Sequence, residues 1–431
     1  MGFYRIFPSA DTYITNAAPL NDLSVRSTGS NHGRSPSLNV FARKGEINTT
    51  SIELARSLVK FNVTELSGKI YDEQSIPSSS VSYILKMYDM QTDDTLPSSY
   101  DLFVYPVSRS FDEGNGIDDD NNRDGGYANW MSASSTVSWT VTGSDYIEEE
   151  FGTGSQHFDL GDEDLEIDIT DIVINWLTGA MGQYGLVVKM GETEETNGTN
   201  YYRKAFHSRE SKYVARLPYI EARWANIKKD NRKNFAFDQD STLYMYNLIR
   251  GQLTNVTSPV FVRLQDNIIG TSASYSEEFT ASFVETGIYS ASFNVDQPAH
   301  FSSSWHDIWF SGSKAYMTGT FQPLVLTGSD VNDKKEYVIN VNNLQRQYRT
   351  DEKIRLIVNV RPRDYATHFG LLSSASLDIE KEYIEKLYYS IIDNERGDVV
   401  VPFGTGSTAY TQLSYNSDGN YCEMYMNSFV P

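Results

Sequence analysis

Cysteine is nearly missing from this chain, with Cys422 alone among 431 residues. That excludes an intramolecular disulfide and any cysteine-based metal centre, and fits assembly in a reducing cytosol. Basic residues are outnumbered, 36 Lys+Arg against 57 Asp+Glu, giving a net charge of −21. Phosphate backbones and anionic bilayers are gripped mainly by Lys and Arg, so neither nucleic acid nor a membrane is an expected partner. Long apolar runs are absent too. Candidates such as Leu186-Val187-Val188 are strand-sized, far short of the ~20 residues of a membrane helix. The opening Met1-Gly2-Phe3-Tyr4-Arg5-Ile6 carries no apolar signal core, and Ile6 stands where a myristoylation signal needs Ser or Thr. Catalytic signatures are equally thin. His32, His157, His207, His300, His306 and His368 are far apart, and no nucleophile elbow or phosphate loop occurs. Ser304-Trp305-His306-Asp307 reads as a polar strand end, since a triad is a spatial arrangement rather than a run of neighbours. The expectation is that the protein is not an enzyme. Heptads and fibre repeats are lacking as well, against a long fibre shaft.

What the chain does have is aromatic residues, 29 Tyr, 21 Phe and 6 Trp, enough for sizeable cores. Short alternating or continuous apolar runs recur, as in 58–63, 83–88, 102–105, 337–341 and 354–360, each bounded by turn residues. That pattern predicts an all-β chain of several β-sandwiches. Residues 388–393 and 399–401 flank the polar turn Asn394-Glu395-Arg396-Gly397, which predicts a hairpin. Helical spacing is clear once, over 168–178, where Ile169, Ile172, Val173 and Trp176 fall at i, i+3, i+4 and i+7. Asp168 or Thr170 would cap this helix and Gly179 would end it; a second helix is expected over 378–387. Residues 101–200 hold 21 acidic and 3 basic residues, a net of −18. The locally basic, apolar-poor stretch 227–237 reads as a linker. It would separate a first domain, 1–226, from a second at 238–330 and a third at 336–431 that lacks its last strand.

The first domain carries a series of landmarks. Ala10-Asp11-Thr12-Tyr13-Ile14 opens it, then Asn31-His32-Gly33-Arg34-Ser35, Ser57-Leu58-Val59-Lys60-Phe61 and the acidic Gly-rich loop 112–126. Asn175-Trp176-Leu177-Thr178-Gly179, Phe206-His207-Ser208-Arg209-Glu210 and Leu217-Pro218-Tyr219-Ile220 follow. In this order they resemble the disaggregatase-related (DNRLRE) β-sandwich, a jelly-roll, carbohydrate-binding-module-like domain. Thr286-Gly287-Ile288-Tyr289 and the run from Leu387 to Tyr421 resemble immunoglobulin-like domains of phage structural proteins. The combination is similar to virion proteins of tailed phages. It implies a non-enzymatic structural component of the neck, tail, baseplate or capsid surface, assembled in the host cytoplasm. Its partners would be other virion structural proteins, in multiple copies of a symmetric assembly, with host-surface glycan as a further contact. The alternative is a polysaccharide-binding module of a microbial surface or secreted protein.

Two candidate sites follow. Asp120-Asn121-Asn122-Arg123-Asp124-Gly125 matches the first half of a calcium loop, with Asp120, Asn122 and Asp124 as the oxygen ligands of a Ca2+ ion. Met131 stands where the bidentate Glu belongs, so an EF-hand is excluded. Flanking the same loop, Tyr127, Trp130 and Trp139 are candidates for a platform on which sugar rings stack. No catalytic residue is assigned.

Overall fold

In the computed structural model, the described residues are 2–429 apart from 20–21, 46–49, 73–75, 94, 96, 118–125, 149–151, 258, 267–274, 298–303, 325–335, 364–381 and 407–408. The chain is all-β and divides into two compact units. The first comprises Phe3–Gly68, Pro77–Trp224 and Met426–Pro431; the second comprises Met1–Gly2, Lys69–Ile76 and Ala225–Tyr425.

The described part of the first unit is built from β1 (Phe3–Ile6), β2 (Pro8–Thr15), β3 (Ser37–Lys44), β4 (Ile52–Phe61), β5 (Val81–Met87) and β6 (Tyr100–Pro106), then β7 (Gly154–Phe158), β8 (Leu165–Asp168), β9 (Leu186–Met190), β10 (Tyr201–His207) and β11 (Tyr219–Trp224). One sheet runs β1-β11-β5-β8 and the other β10-β3-β4-β9-β6-β7, with β2 also paired to β4. In β5 and β6 every second residue is buried, the period of a strand with one face to a core. β9 is buried at all five positions, which is why Leu186-Val187-Val188 is continuous rather than alternating. A second layer covers that sheet: Phe111, Ala128, Trp130, Ala133 and Trp139 pack on Ile14, Leu58 and Val187.

The expected helix is present as α1 (Thr170–Thr178), burying Ile172, Val173 and Trp176. Asp168 Oδ1 accepts the Thr170 N–H at 2.8 Å, and Gly179 ends the helix at φ 74°. The chain's last described residues also belong to this unit. Arg5 N donates to Ser428 Oγ at 3.4 Å, and the Phe3 and Phe429 rings meet edge to face at 6.0 Å. They support β1, an outer strand of its sheet.

In the second unit, Asp240–Tyr246, Ile288–Asn294 and Ser282–Glu285 form one sheet. Ser276–Thr280, Phe261–Gln265, Trp305–Ser311 and Lys314–Phe321 form a second. Their core holds Leu243, Val262, Trp305, Trp309 and Phe321. Gly287 adopts φ 73°, and Tyr289 Oη accepts the Val256 N–H at 2.8 Å. A further sheet runs Tyr337–Val341, Lys353–Pro362, Gly419–Tyr425, Ser414–Asn416. The expected hairpin pairs Ile391 with Val401, and Gly397 turns it at φ 76°.

Several boundaries differ from the sequence reading. Residues 227–237 are not a linker. Phe235 and Phe237 join the core of the second unit, and Lys228 is buried between Glu285 and Glu423, at 3.1 and 3.7 Å. Two of the charges that made the stretch look solvated, Lys228 and Arg232, are consumed in ion pairs with carboxylates of remote strands. Consequently the segments expected as separate domains, 238–330 and 336–431, share one unit up to Tyr425. Nor does the expected missing last strand leave the final strand as an edge, because Gly419–Tyr425 pairs with Lys353–Pro362 on one side and Ser414–Asn416 on the other. Of the second expected helix, the described part 382–387 is irregular. There Glu382 N bonds Val360 O and Ile384 N bonds Asn420 Oδ1, which ties the backbone to the sheet instead.

Candidate functional site

The acidic loop that drew both site readings is held at its base by one buried asparagine. Asn31 Nδ2 donates to Glu113 O at 2.7 Å and to Ala128 O at 2.8 Å, while its Oδ1 accepts Gly116 N at 2.9 Å. Glycine is required at 116, since a Cβ there would lie 1.8 Å from Asn31 O. Both stems of the loop are therefore fixed. Asp120, Asn122 and Asp124 lie outside the described residues. Among the described residues no three His, Cys, Asp or Glu side chains gather as a metal site.

The aromatic platform is corrected by burial. Trp130 and Trp139 are 6% and 5% exposed, inside the layer that covers the large sheet. Trp139 Nε1 donates to Asn129 O at 2.8 Å, which satisfies its one polar atom. Arg56 lies over the Trp130 ring at 5.3 Å and forks onto Glu195, at 3.0 and 2.6 Å. Neither indole face is open to a sugar. Tyr127 alone of the three is partly exposed. The triad-like run is also separated: Asp307 is buried on Arg232 and Trp309 Nε1, whereas His306 contacts Thr320 Oγ1.

What the fold does bring together is a set of charged residues remote in sequence. Arg209 Nη1 donates to both Glu113 oxygens, at 3.0 and 2.9 Å, and to Ser9 O at 3.2 Å. Asp11 accepts the Arg209 N–H at 2.7 Å, and its own N–H donates to Glu113 Oε1 at 2.8 Å. Arg34 and Glu210 add a pair at 3.1 Å. Beside them His32 stacks on Tyr13 at 3.8 Å and bonds its carbonyl oxygen at 3.0 Å. Burial pushes the Asp11 carboxyl up to about 7, against the Arg209 N–H bond that lowers it. Arg209 cannot neutralise Asp11 fully because Glu113 holds its guanidinium.

Arg209 also reaches the wall of a cleft of about 430 Å³, lined in part by Tyr4, Phe7, Glu65 and Asn427. Its polar groups are already engaged: Tyr4 Oη bonds Glu65, and Asn427 Nδ2 donates to Tyr4 Oη at 2.5 Å. Arg5, which also lines it, pairs with Glu221 at 2.6 Å and lies over Tyr219 at 4.2 Å. Such a cleft can accept a small polar group, and each charged residue of its lining already has a partner. Spacing along the chain carries no signal for this network, whose members are separated by up to about 200 residues. The landmark residues Asp11, Asn31 and Arg209 were visible only as ordered fragments.

No known protein-family profile matches the chain. No curated protein matches it either. Among solved structures, it is similar to a Bacteroides fragilis chain assigned as a β-galactosidase, at 7% identity and a TM-score of 0.17. The match covers 74% of this chain and 40% of that one.

Proposed function

We propose that this chain is a non-enzymatic structural component of a tailed bacteriophage particle, present in several copies and held by its β domains to other virion proteins. The observation that supports it is the convergence of Asp11, Asn31, His32, Arg34, Glu113, Arg209 and Glu210 into one network whose two arginines each pair a glutamate. The fragments that carry the resemblance thus act as architecture, locking strand ends and loop stems. They bind one another and leave little charge for a substrate. The burial of Trp130 and Trp139 removes the main support for the polysaccharide-binding reading. Density-purified particles from a producing host, analysed by quantitative mass spectrometry and immunogold microscopy, test the proposal. The chain should occur in fixed ratio to the major structural proteins, with label at one repeated position. Its absence from purified particles would refute the reading.

A further inference from the structure

The sheet formed by Tyr337–Val341, Lys353–Pro362, Gly419–Tyr425 and Ser414–Asn416 has two outer strands with opposite fates. Ser414–Asn416 is closed off by the chain itself, since Tyr415 N donates to Lys228 O at 3.0 Å and Asp230 N to Tyr415 O at 3.1 Å. Tyr337–Val341 pairs with Lys353–Pro362 on one side, and no described residue pairs with the other. All five of its residues are exposed, Ile339 to 51%.

The register says which backbone groups face outward. Arg363 N donates to Glu336 O at 2.7 Å, and Asn342 N donates to Ile357 O at 3.1 Å. In an antiparallel ladder bonded positions alternate. Even-numbered residues from 336 to 342 therefore bond inward, and Tyr337, Ile339 and Val341 turn their N–H and C=O outward. Those same three residues put apolar side chains on one face, beside the buried Val358 and Val360 of the next strand. None of the usual edge protections is present: the strand carries no Lys, no Pro, no charge and no bulge.

We infer that this edge pairs with the same edge of a second copy of the chain, antiparallel and centred on Ile339. In that register Ile339 faces its own counterpart and Tyr337 faces Val341, so the outward groups of all three residues exchange hydrogen bonds in both directions. No charge opposes a like charge within the strand. The apolar residues of both copies fall on one continuous face. Because the sheet's other edge is already covered, the contact is isologous and closes at a dimer instead of growing into a filament. Two short strands bury less than the ~1,200–2,000 Å² of a standard interface, which sets a weak, micromolar association. The inference rests on the sheet alone, so failure of the virion reading leaves it standing, and the reverse.

Sedimentation of the full chain tests it, over concentrations on the order of 1 to 100 µM. A dimer should build with concentration and strengthen with salt, because two copies of charge −21 repel each other and salt screens that repulsion. Ile339→Pro should abolish the dimer with little change in melting temperature, since the N–H it removes makes no bond within the chain. Ile339→Lys, which sets two like charges opposite each other, should do the same. Hydrogen exchange should protect the amides of Tyr337, Ile339 and Val341 only at high concentration. A monomer at every concentration and salt, or a dimer untouched by both variants, would overturn the inference. So would a dimer that weakens as salt rises, the mark of opposite charges meeting elsewhere on the surface instead of at this uncharged edge.

Discussion

Replacing Asp11 with Asn should remove part of the pH dependence of the first unit's stability. Asp11 is 1% exposed, and its carboxyl is raised chiefly by burial to about 7. In the unfolded chain the same group titrates near 3.9. Between those values the folded state holds a proton that the unfolded state has lost. Unfolding free energy therefore falls as pH rises through that window, the reverse of an ordinary ion-paired carboxylate. The contribution is fully present below about pH 4 and gone above about pH 7. A shift of about 3 units at 1.36 kcal/mol each amounts to about 4 kcal/mol. The amide in the variant keeps an oxygen to accept the Arg209 N–H, but it does not titrate. Urea unfolding of wild type and Asp11→Asn, followed by tryptophan fluorescence at about pH 4.5, 6 and 8, measures the difference. The variant should gain on wild type by about 3 kcal/mol from about pH 4.5 to about pH 8, most of the full contribution. Taking the difference cancels other groups, including Asp230, which burial also pushes up, to about 6. Parallel curves for the two proteins would refute the argument. They would mean that Asp11 is ionised in the fold and that Arg209 serves both carboxylates.

Ending the chain at Tyr425 removes Phe429 from Phe3, Ser428 from Arg5 and Asn427 from Tyr4. Thermal unfolding should then show the first unit weakened by about 2–4 kcal/mol, the scale of a lost buried aromatic contact and its hydrogen bonds; an unchanged transition would contradict the assignment of the tail to that unit. Lys228→Met strands Glu285 and leaves Glu423, held at about 2 against burial by Lys228 and Lys353, with Lys353 alone. The second unit should lose about 3–5 kcal/mol, and trypsin should spare Lys228 in the native wild-type protein. Trp139→Ala should cost about 3–5 kcal/mol of first-unit stability, whereas a surface platform residue would leave the melting curve in place.

The strand periods, the helix at 168–178 and the hairpin at 394–397 were legible in the sequence because each depends on neighbours within one or two turns of chain. Alternation, i to i+4 spacing and a glycine at positive φ are local properties, and the structure reproduces them. Burial of a polar or aromatic residue is not local. Trp130 and Trp139 lie beside an acidic loop in sequence, yet they are core because the segment folds back over the face of a sheet whose strands lie far away in the chain. Residues 227–237 look like a linker by composition, but Lys228 and Arg232 meet carboxylates supplied by remote strands, Glu285 and Asp307. The closed edge at 414–416 and the open one at 337–341 follow the same rule, since a strand's free side depends on which other strand arrives there. Composition and local order were enough to make the chain β, acidic and free of disulfides. Which charges are consumed, which aromatics are buried and which edge is left to bind came only with the assembled fold, because those depend on contacts between residues tens to hundreds of positions apart.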